Sequence, residues 1–325
     1  MTFYIFGAAH ENSKNPYLFN LKRALINLGM ISHNEYFPKL GVIDFFRNIR
    51  TGIWIINWPE NIYSNRFGFF QSIIYIFIMF LIGRYKKIVW IYHNKYSHHN
   101  SNLLSRFCQI MTAKFSYFTI THSESGKSYY IDRFNLTNIY YFPHPIYQDF
   151  IADTKSSILF DYIIWGEIVP YKKLHSFLEF VKNTRAINNK KILICGKCKD
   201  EKYLTMIKNL LSDNIILIDE HLNDNALSYY IHSSRCILFT KYDSSLISSG
   251  ALIYSISFDK CILGPAYGIF HEFKTLNMID TYNDYDDLIN YSFQKPDLNA
   301  RKSYCTNYNW DSFAQFISNK ILEKK

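Results

Sequence analysis

Three features that would each assign this 325-residue sequence to a particular class of protein are missing. Its six cysteines show no paired spacing and no apolar leader precedes the first polar loop, so we expect a reducing, cytoplasmic setting. The net charge is +9, but the basic residues are scattered, which disfavours a nucleic-acid-binding stripe. No set of side chains has metal-ligand spacing, so no metal is expected. The basic balance then favours an anionic membrane surface or a phosphorylated small molecule as partner.

Short apolar runs alternate with amphipathic stretches along the whole chain, a pattern typical of parallel α/β sheets. The length favours two domains, and the polar stretch 146–158 separates two similar halves. We therefore predict an α/β protein with two tandem Rossmann-like domains, over 1–148 and 149–305, and a last helix within 306–325 that crosses back to the first domain. The predicted strands lie at 1–7, 53–57, 87–92, 117–121 and 139–142, and then at 162–165, 191–195, 215–218, 236–240 and 261–263.

Polar clusters follow many of these strands directly. Because ligands of open parallel sheets bind beyond the carboxyl ends of the strands, these clusters are expected to line one cleft between the two halves.

The most informative stretch runs from Ile163 to Lys173, where an apolar strand passes through Gly166 into a loop and then a helix. Such a joint collects backbone N–H groups and a helix dipole at one place, and Lys172 adds a mobile cation. This combination is suited to holding a diphosphate. An ordinary strand–loop–helix joint with a solvated lysine pair explains the same pattern.

Two further loops in the second half are assigned to the same site. Gly196 and Lys197 follow a strand, and Ser248, Ser249 and Gly250 precede an apolar helix. The serines suit a helix N-cap and the glycine would let a ligand approach the backbone, although a plain cap is the simpler interpretation.

A glycine-rich segment, Gly264 to Gly268, is predicted to form a loop, and Glu272 after it could accept hydrogen bonds from sugar or ribose hydroxyls. The alternative is a solvated loop acid.

In the first half, Glu60 ends a strand behind Trp58, and His93 follows the next strand. A carboxylate beside an aromatic platform suits a sugar, and either Glu60 or His93 could act as a base. A dipole-favoured acid and structural histidines are the alternatives. The other polar residues predicted to contact this ligand are Gly7, His10, Asn94, His98, His122 and His144.

Two apparent motifs are better explained structurally. Cys195 and Cys198 mimic a redox CxxC but lie at a strand-end turn, and Asp284 to Asp287 mimics an Asp-x-Asp metal site but suits a helix cap.

The stretch 67–82 is almost entirely apolar, yet shorter than the about 20 residues that span a bilayer. It predicts a helix that lies partly in the core and partly on an anionic membrane surface, or else a fully buried helix.

Taken in order, these motifs resemble those of bacterial glycosyltransferases of the GT-B fold that use nucleotide sugars to build exopolysaccharide or O-antigen. The motifs are Trp58-Pro59-Glu60, His93-Asn94 with His98, Thr121-His122-Ser123, Pro143-His144-Pro145, Gly166 through Lys172, and Ser249-Gly250-Ala251-Leu252. The resemblance covers almost the whole chain.

The resemblance implies that the second domain binds the donor, a UDP- or GDP-linked sugar, with Lys172 and the Ser249–Gly250 helix end on the phosphates. The first domain would bind the acceptor, often a lipid-linked glycan, at the inner face of the cell membrane. No cofactor or metal would be needed, since cations and helix dipoles offset the leaving diphosphate.

Two departures from the family pattern affect the expected chemistry. Glu167 replaces an arginine that often follows the phosphate-loop glycine, and Leu246 and Tyr254 stand where the retaining branch has two glutamates. Retention or inversion therefore stays open. The rival hypotheses are a non-catalytic homologue that binds sugar or nucleotide, and a nucleic-acid-binding protein, which steep salt dependence would reveal.

Overall fold

The computed structural model describes residues 1–7, 16–34, 41–95, 102–151, 157–240 and 247–323. The chain divides into two compact units. The first comprises Met1–Pro145 and Asn307–Lys325 with a short segment ending at Ser248, and the second comprises Ile146–Ser244 and Ser249–Thr306.

The first unit is built on a six-stranded sheet in the order β2-β1-β3-β4-β5-β6, in which every pair is parallel. Its strands are β1 (Thr2–Ile5), β2 (Ile31–Ser32), β3 (Ile53–Asn57), β4 (Lys87–Tyr92), β5 (Ser116–Thr121) and β6 (Ile139–Tyr141). Its helices before the second unit are α1 (Tyr17–Asn27), α2 (Asp44–Arg47), α3 (Gly68–Ile82), α4 (Leu103–Phe115) and α5 (Glu124–Phe134). Short 3-10 turns cover Gly41–Ile43, Pro59–Ser64 and Gly83–Tyr85.

Hydrophobic packing on both faces explains why the central strands of this sheet read as unbroken apolar runs. Every residue of β3 is buried, and so is every residue of β4 after its first. On one face, Trp54 and Trp90 pack with Tyr75 and Met79 of α3 and Tyr130 of α5. This packing fixes the positions from which the polar residues after β3 and β4 extend.

The second unit repeats the design with the strand order β12-β11-β10-β7-β8-β9, again wholly parallel. Its strands are β7 (Phe160–Trp165), β8 (Ile192–Cys195), β9 (Ile215–Ile218), β10 (Ser234–Leu238), β11 (Cys261–Pro265) and β12 (Asp280–Tyr282). Its helices are α6 (Leu174–Thr184), α7 (Glu201–Asn209), α8 (Asp224–His232), α9 (Gly250–Ile256), α10 (Gly268–Thr275) and α11 (Leu298–Asn307), with 3-10 turns at Pro170–Lys172 and Tyr285–Leu288.

Each sheet has a point at which its strand order reverses, and ligands of doubly wound sheets bind outside the carboxyl ends there. In the second unit that point lies between β7 and β10, which pair directly, so the loops after Trp165 and Leu238 flank it. In the first unit it lies between β1 and β3, so the segments after Ile5 and Asn57 flank it.

The last helix, α12 (Trp310–Glu323), is part of the first unit although it follows the second in sequence. It packs against α1, where the rings of Trp310 and Tyr17 have centroids 5.0 Å apart. The Lys87 ammonium also donates to the Ile321 carbonyl of α12, at 3.3 Å.

The α/β class with parallel sheets in both halves is confirmed, whereas the local predictions hold only in part. The stretch 67–82 forms a helix that lies partly in the core, as predicted, and the fully buried alternative is wrong because Phe70 and Phe77 are exposed. Gly264 and Pro265, predicted as loop, are the last residues of β11. Helix α5 was not predicted, since its sequence ESGKSYYIDRF has too few apolar positions to show a helical period.

Candidate functional site

Two glycine loops of the second unit pack directly on each other at the carboxyl ends of β7 and β8. Gly166 and Gly196 adopt φ values of +99° and +150°. A Cβ atom on Gly196 would lie 2.0 Å from the Gly166 carbonyl oxygen, so only glycine fits there. The Gly166 N–H donates to the Cys195 carbonyl at 3.0 Å, and the Gly196 N–H donates to the Ile218 carbonyl at 3.0 Å. The two turns are therefore held by backbone contacts at one edge of the sheet.

The Lys172 ammonium lies over Gly166, 3.2 Å from where a Cβ atom of residue 166 would be. Burial lowers the pKa of Lys172 to about 8, against a smaller opposite effect of Glu167. Within the described ranges the ammonium has no hydrogen-bond or ion-pair partner. A partly desolvated cation without a partner, beside a glycine turn, is the arrangement that an anionic ligand would complete.

The backbone of Lys172 is fixed at the point where the strand order reverses. The Thr240 hydroxyl, just beyond β10, donates to the Lys172 carbonyl at 3.2 Å. Lys172 itself ends the 3-10 turn Pro170–Lys172, and Lys173 takes a left-handed conformation before α6 begins at Leu174. The sequence predicted that the lysine pair Lys172–Lys173 opens this helix, whereas the structure places the pair just before it.

Lys197, unlike Lys172, already has an ion-pair partner. Its ammonium pairs with the Asp219 carboxylate at 3.0 Å, and the same carboxylate accepts the Cys198 N–H at 2.7 Å. Glu167 likewise forms an exposed ion pair with Lys199. Both pairs tie neighbouring loops together, so the predicted role of Lys197 in binding phosphate would require breaking an existing ion pair.

The Ser249–Gly250 segment forms the helix cap that was the simpler interpretation. The Ser249 hydroxyl accepts from the Leu252 N–H at 3.3 Å, and Ser248 is half-buried before it. A Cβ atom on Gly250 would lie 3.3 Å from the Tyr147 hydroxyl, so that phenol takes the space predicted for a ligand. Helix α9 is anchored next to the Gly166 loop, because the Trp165 indole N–H donates to the Ser255 hydroxyl at 3.1 Å.

Glu272 lies inside helix α10 and is half-buried, rather than in a solvated loop. Its predicted contact with a sugar or ribose stays a prediction.

In the first unit, three histidines from successive strand ends form one buried cluster with Tyr17. His93, His122 and His144 follow β4, β5 and β6, and each is at most 5% exposed. The ring centroids of His122 and His144 are 4.8 Å apart, and those of His93 and His122 are 5.6 Å apart. The Tyr17 ring lies edge-on to His93 at 4.7 Å. The predicted gathering of these polar residues is therefore observed, but they lie in the interior.

Hydrogen bonds define the protonation of this cluster. His122 Nδ1 lies 2.8 Å from the Phe142 carbonyl, which only accepts, so Nδ1 carries the proton. His122 Nε2 then accepts from the Tyr17 hydroxyl at 2.6 Å. His144 Nδ1 donates to the Pro145 carbonyl at 2.9 Å. Burial lowers the pKa of all three histidines, to about 4 for His144, and their proximity adds to the effect in His93 and His122. The cluster is neutral at pH 7.

His93 differs from His122, whose two nitrogens are both hydrogen-bonded. Its Nε2 lies 3.0 Å from Asn57 Oδ1, and its Nδ1 has no partner in the described part of the chain. The ring stacks on Trp58 at 4.6 Å, and Trp58 is held in a left-handed conformation at φ 49°. The buried Asn57 side-chain nitrogen also lacks a partner among described residues. These polar atoms beside a strained aromatic residue make this part of the first unit a candidate ligand site.

Glu60 is buried on the α4 side of the same strand ends. Asn94 Nδ2 donates to its carboxyl oxygen at 3.2 Å, and Gln109 of α4 also hydrogen bonds to it. Burial raises the pKa of Glu60 to about 7, although these hydrogen bonds oppose the shift. The predicted open carboxylate beside an aromatic platform is thus a buried group that connects β3, β4 and α4.

Two of the predicted acceptor residues, His10 and His98, fall outside the described residues. Gly7 is exposed at the end of the segment after β1.

Acidification is expected to destabilise the first unit through its buried histidines. Because the pKa of His144 is about 4 when folded and 6.5 unfolded, the unfolded state binds more protons between these values. Stability is therefore present above pH 6.5 and is lost progressively as the pH falls toward 4, by about 3 kcal/mol for this residue. Urea titrations across this range should show a shallower loss for His144→Asn than for the parent. His221→Asn, at an exposed loop position, is the control, and an unchanged slope in His144→Asn would contradict the assignment.

Sequence reasoning missed several residues that position the site, chiefly Tyr17, Asn57, Thr240 and Tyr147. Asn57 and Thr240 were placed at strand ends and could have been chosen by the same rule as His93. Tyr17 and Tyr147 gave no signal, because their partners lie about a hundred residues away in sequence, Tyr17 with His122 and Tyr147 with Gly250.

The two apparent motifs of the second half lie in the kinds of local structure that the sequence predicted, a turn at a strand end and a helical cap. All six cysteines, Cys195 and Cys198 among them, are free and buried, and Asp284 caps a 3-10 turn through the Asp286 N–H at 3.0 Å. No group of three His, Cys, Asp or Glu in the described ranges could hold a metal ion. Independence from metal stays a prediction.

No protein-family model matches the sequence, and no curated protein matches it. Solved structures match over the full length at low identity. Anabaena HepE in complex with UDP has a TM-score of 0.64 at 12% identity, covering 99% of both chains. The lipopolysaccharide outer core galactosyltransferase WaaB has a TM-score of 0.63 at 11% identity, covering all of both. An E. coli trehalose-6-phosphate structure bound with UDP-2-fluoro glucose has a TM-score of 0.64 at 8% identity, covering 98% of this chain and 99% of that one.

These matches, with the two wholly parallel sheets and their reversal points, show that the chain has the α/β GT-B fold of nucleotide-sugar glycosyltransferases.

Proposed function

We propose that this protein is a glycosyltransferase that moves a sugar from a nucleotide-diphosphate sugar to a hydroxyl of a glycan acceptor. The observation that carries the proposal is the Lys172 ammonium over the Gly166–Gly196 turns, beside the reversal point of the second sheet and without a partner among the described residues. The match of the whole chain to glycosyltransferase structures supports it.

On the donor side, Lys172 would contact the diphosphate and offset the charge that develops as the bond between the sugar and the phosphate oxygen breaks. Because Gly166 and Gly196 have no side chains, the phosphates could approach the backbone there. Ser248, Ser249, Gly250 and Glu272 complete the proposed donor residues, with Tyr147 needing to move if a ligand contacts Gly250. No cofactor is proposed besides the donor itself.

A UDP-linked donor is proposed first and a GDP-linked donor second. HepE was solved with UDP, and the E. coli structure carries a UDP sugar, which makes uridine the base to test first.

On the acceptor side, His93 is the proposed base. The acceptor hydroxyl would give its proton to His93 Nδ1, while its oxygen bonds to the sugar carbon that the diphosphate leaves. Trp58 would pack on a sugar ring, and Glu60 would orient Asn94 rather than take the proton. We propose a lipid-linked glycan of surface polysaccharide as the acceptor class, in the cytoplasm at the inner face of the membrane.

A panel of nucleotides tests the donor. UDP and UDP sugars are expected to raise the melting temperature, because a ligand that binds only the folded form stabilises it. UMP is the matched control, since it has the same base as UDP but lacks the diphosphate. Absence of any shift with UDP or GDP compounds would contradict a donor site.

The second candidate function is a non-catalytic homologue that binds nucleotide or sugar. Leu246 and Tyr254 in place of the two acids favour it, as does the burial of His93 and Glu60. Release of UDP from a UDP sugar by the purified protein separates the two, because the homologue would bind without releasing it.

A further inference from the structure

Helix α3 exposes a continuous stripe of large apolar side chains. Phe70 and Phe77 are 64% and 59% exposed, and the other exposed members are Phe69, Ile73, Phe80 and Leu81. These positions recur every three or four residues, so they lie on one face about 18 Å long. Phe67, just before the helix, extends the stripe.

Helix α4 lies beside α3 and widens this surface. The Tyr75 hydroxyl and the Thr112 hydroxyl hydrogen bond at 2.6 Å between the two helices. On its outer face α4 exposes Leu103, Phe107 and Ile110, of which Leu103 is 72% exposed. Together the two neighbouring helices expose nine large apolar side chains, and apolar side chains exposed in a group rather than singly are typical of a binding surface.

The charge of the chain segment that carries the patch has one sign. From Asn61 to Ser123 the sequence contains no Asp or Glu but seven Lys and Arg, most of the net charge of +9. Arg66, Arg84, Arg106 and Lys114 are exposed on or next to these two helices. The Arg66 guanidinium lies 5.1 Å from the centre of the Phe67 ring, a position from which its head can stay in water while its stem covers apolar surface.

We propose that the α3–α4 face docks on an anionic phospholipid bilayer, with its aromatic stripe in the interface and its cations on the lipid headgroups. Apolar and cationic groups in alternation are the composition of interfacial helices. A second copy of the chain is disfavoured as the occupant, because a two-fold pairing would bring cations against cations.

The helix lies on the membrane rather than spanning it. The stretch Gly68–Tyr85 is long and apolar enough to cross a bilayer, but a third of it is buried in the protein. Tyr75, Ile78 and Met79 belong to the core beneath β3 and β4, and leaving that core would expose Trp54 and Trp90.

The amino-terminal ends of the two docked helices lie toward the proposed acceptor site within the first unit. Helices α3 and α4 follow β3 and β4, so Phe70 and Leu103 lie toward the same carboxyl edge as Trp58 and His93. This placement would bring a membrane-held acceptor to His93. Only this part of the inference rests on the proposed function.

Vesicle flotation with the full chain tests the surface without any sugar substrate. The parent protein should float with vesicles of phosphatidylcholine and phosphatidylglycerol, and far less with phosphatidylcholine alone. The triple variant Phe70→Ser, Phe77→Ser, Phe107→Ser should lose roughly tenfold or more of this affinity. Arg66→Gln with Arg106→Gln and Lys114→Gln should remove the preference for anionic lipid.

The matched control is Ile216→Ser with Leu276→Ser, two exposed apolar residues of the second unit, which should float as the parent does. Unchanged vesicle binding by the phenylalanine variant would overturn the proposal. So would a parent protein that sediments as a dimer when the phenylalanine variant sediments as a monomer, because a second copy would then occupy the surface. So would resistance to alkaline extraction, which indicates a spanning helix. Nucleotide binding is measured in a separate experiment. A failure of the flotation test therefore does not contradict the donor site, and a failure of nucleotide binding does not contradict the membrane surface.

Discussion

Lys172→Met is expected to reduce turnover, or nucleotide-diphosphate affinity, by roughly a hundredfold while leaving the fold intact. A hydrogen-bonded charge pair with a phosphate is lost, an interaction of about 3 kcal/mol in a partly buried site. Methionine keeps the length of the side chain and removes the desolvated charge, so the melting temperature without ligand should stay equal or rise. Calorimetric titration of UDP and a UDP-release assay measure the two quantities.

The pH dependence of the same site gives a readout that simple damage to the fold would not reproduce. The pKa of free Lys172 is about 8, so its charge is lost as the pH rises above that value. A bound diphosphate favours the charged form, so binding takes up a proton and the affinity should fall above pH 8. Lys172→Met should show a flatter profile. Lys197→Met is the control cation. If it proves as damaging as Lys172→Met, the assignment of Lys172 as the main phosphate ligand is wrong.

Gly196→Ala is expected to have the largest effect on stability, roughly 3–5 kcal/mol in the second unit. The new methyl group would lie 2.0 Å from the Gly166 carbonyl oxygen at a backbone φ of +150°, so both turns must move. The movement would also displace the surface under Lys172, so any folded fraction should bind nucleotide weakly. Denaturant unfolding and UDP titration measure both effects.

Two other glycines separate backbone strain from collision. Gly29 has φ +78° with open space around it, so Gly29→Ala should cost only about 1–2 kcal/mol. Gly52 also has open space and no positive φ, so Gly52→Ala should be close to neutral. A Gly196→Ala variant as stable as Gly29→Ala would show that the two turns are not packed as described.

The sequence predicted the fold well because burial on both faces leaves parallel strands as uninterrupted apolar runs. Strands such as Ile53–Asn57 and Lys87–Tyr92 could be located to the residue for this reason. Strands β2 and β12 were missed because two or three residues, such as Asp280–Tyr282, carry no detectable period. Their pairing depends on neighbours far away in sequence.

The sequence predicted where in the fold the candidate site lies, but not which side chains contact one another there. The rule that ligands lie beyond strand ends found Gly166, Lys172 and His93. It gave no information about which charged groups already have partners, and so Lys197 was chosen although Asp219 neutralises it. The sequence also gave no sign that the histidines are buried. They gather in the interior around Tyr17, a helix residue with no motif around it.

The position of α12 determines when the protein can finish folding on the ribosome. The second unit lies in the chain before α12, whereas the first lacks α12, with Trp310 and Phe313, until the second unit has been made. A nascent chain would therefore expose the surface of α1 around Tyr17 while the later half is made. A chain without α12 would therefore leave the α1 surface of the first unit uncovered, even though every residue of that unit's sheet is present.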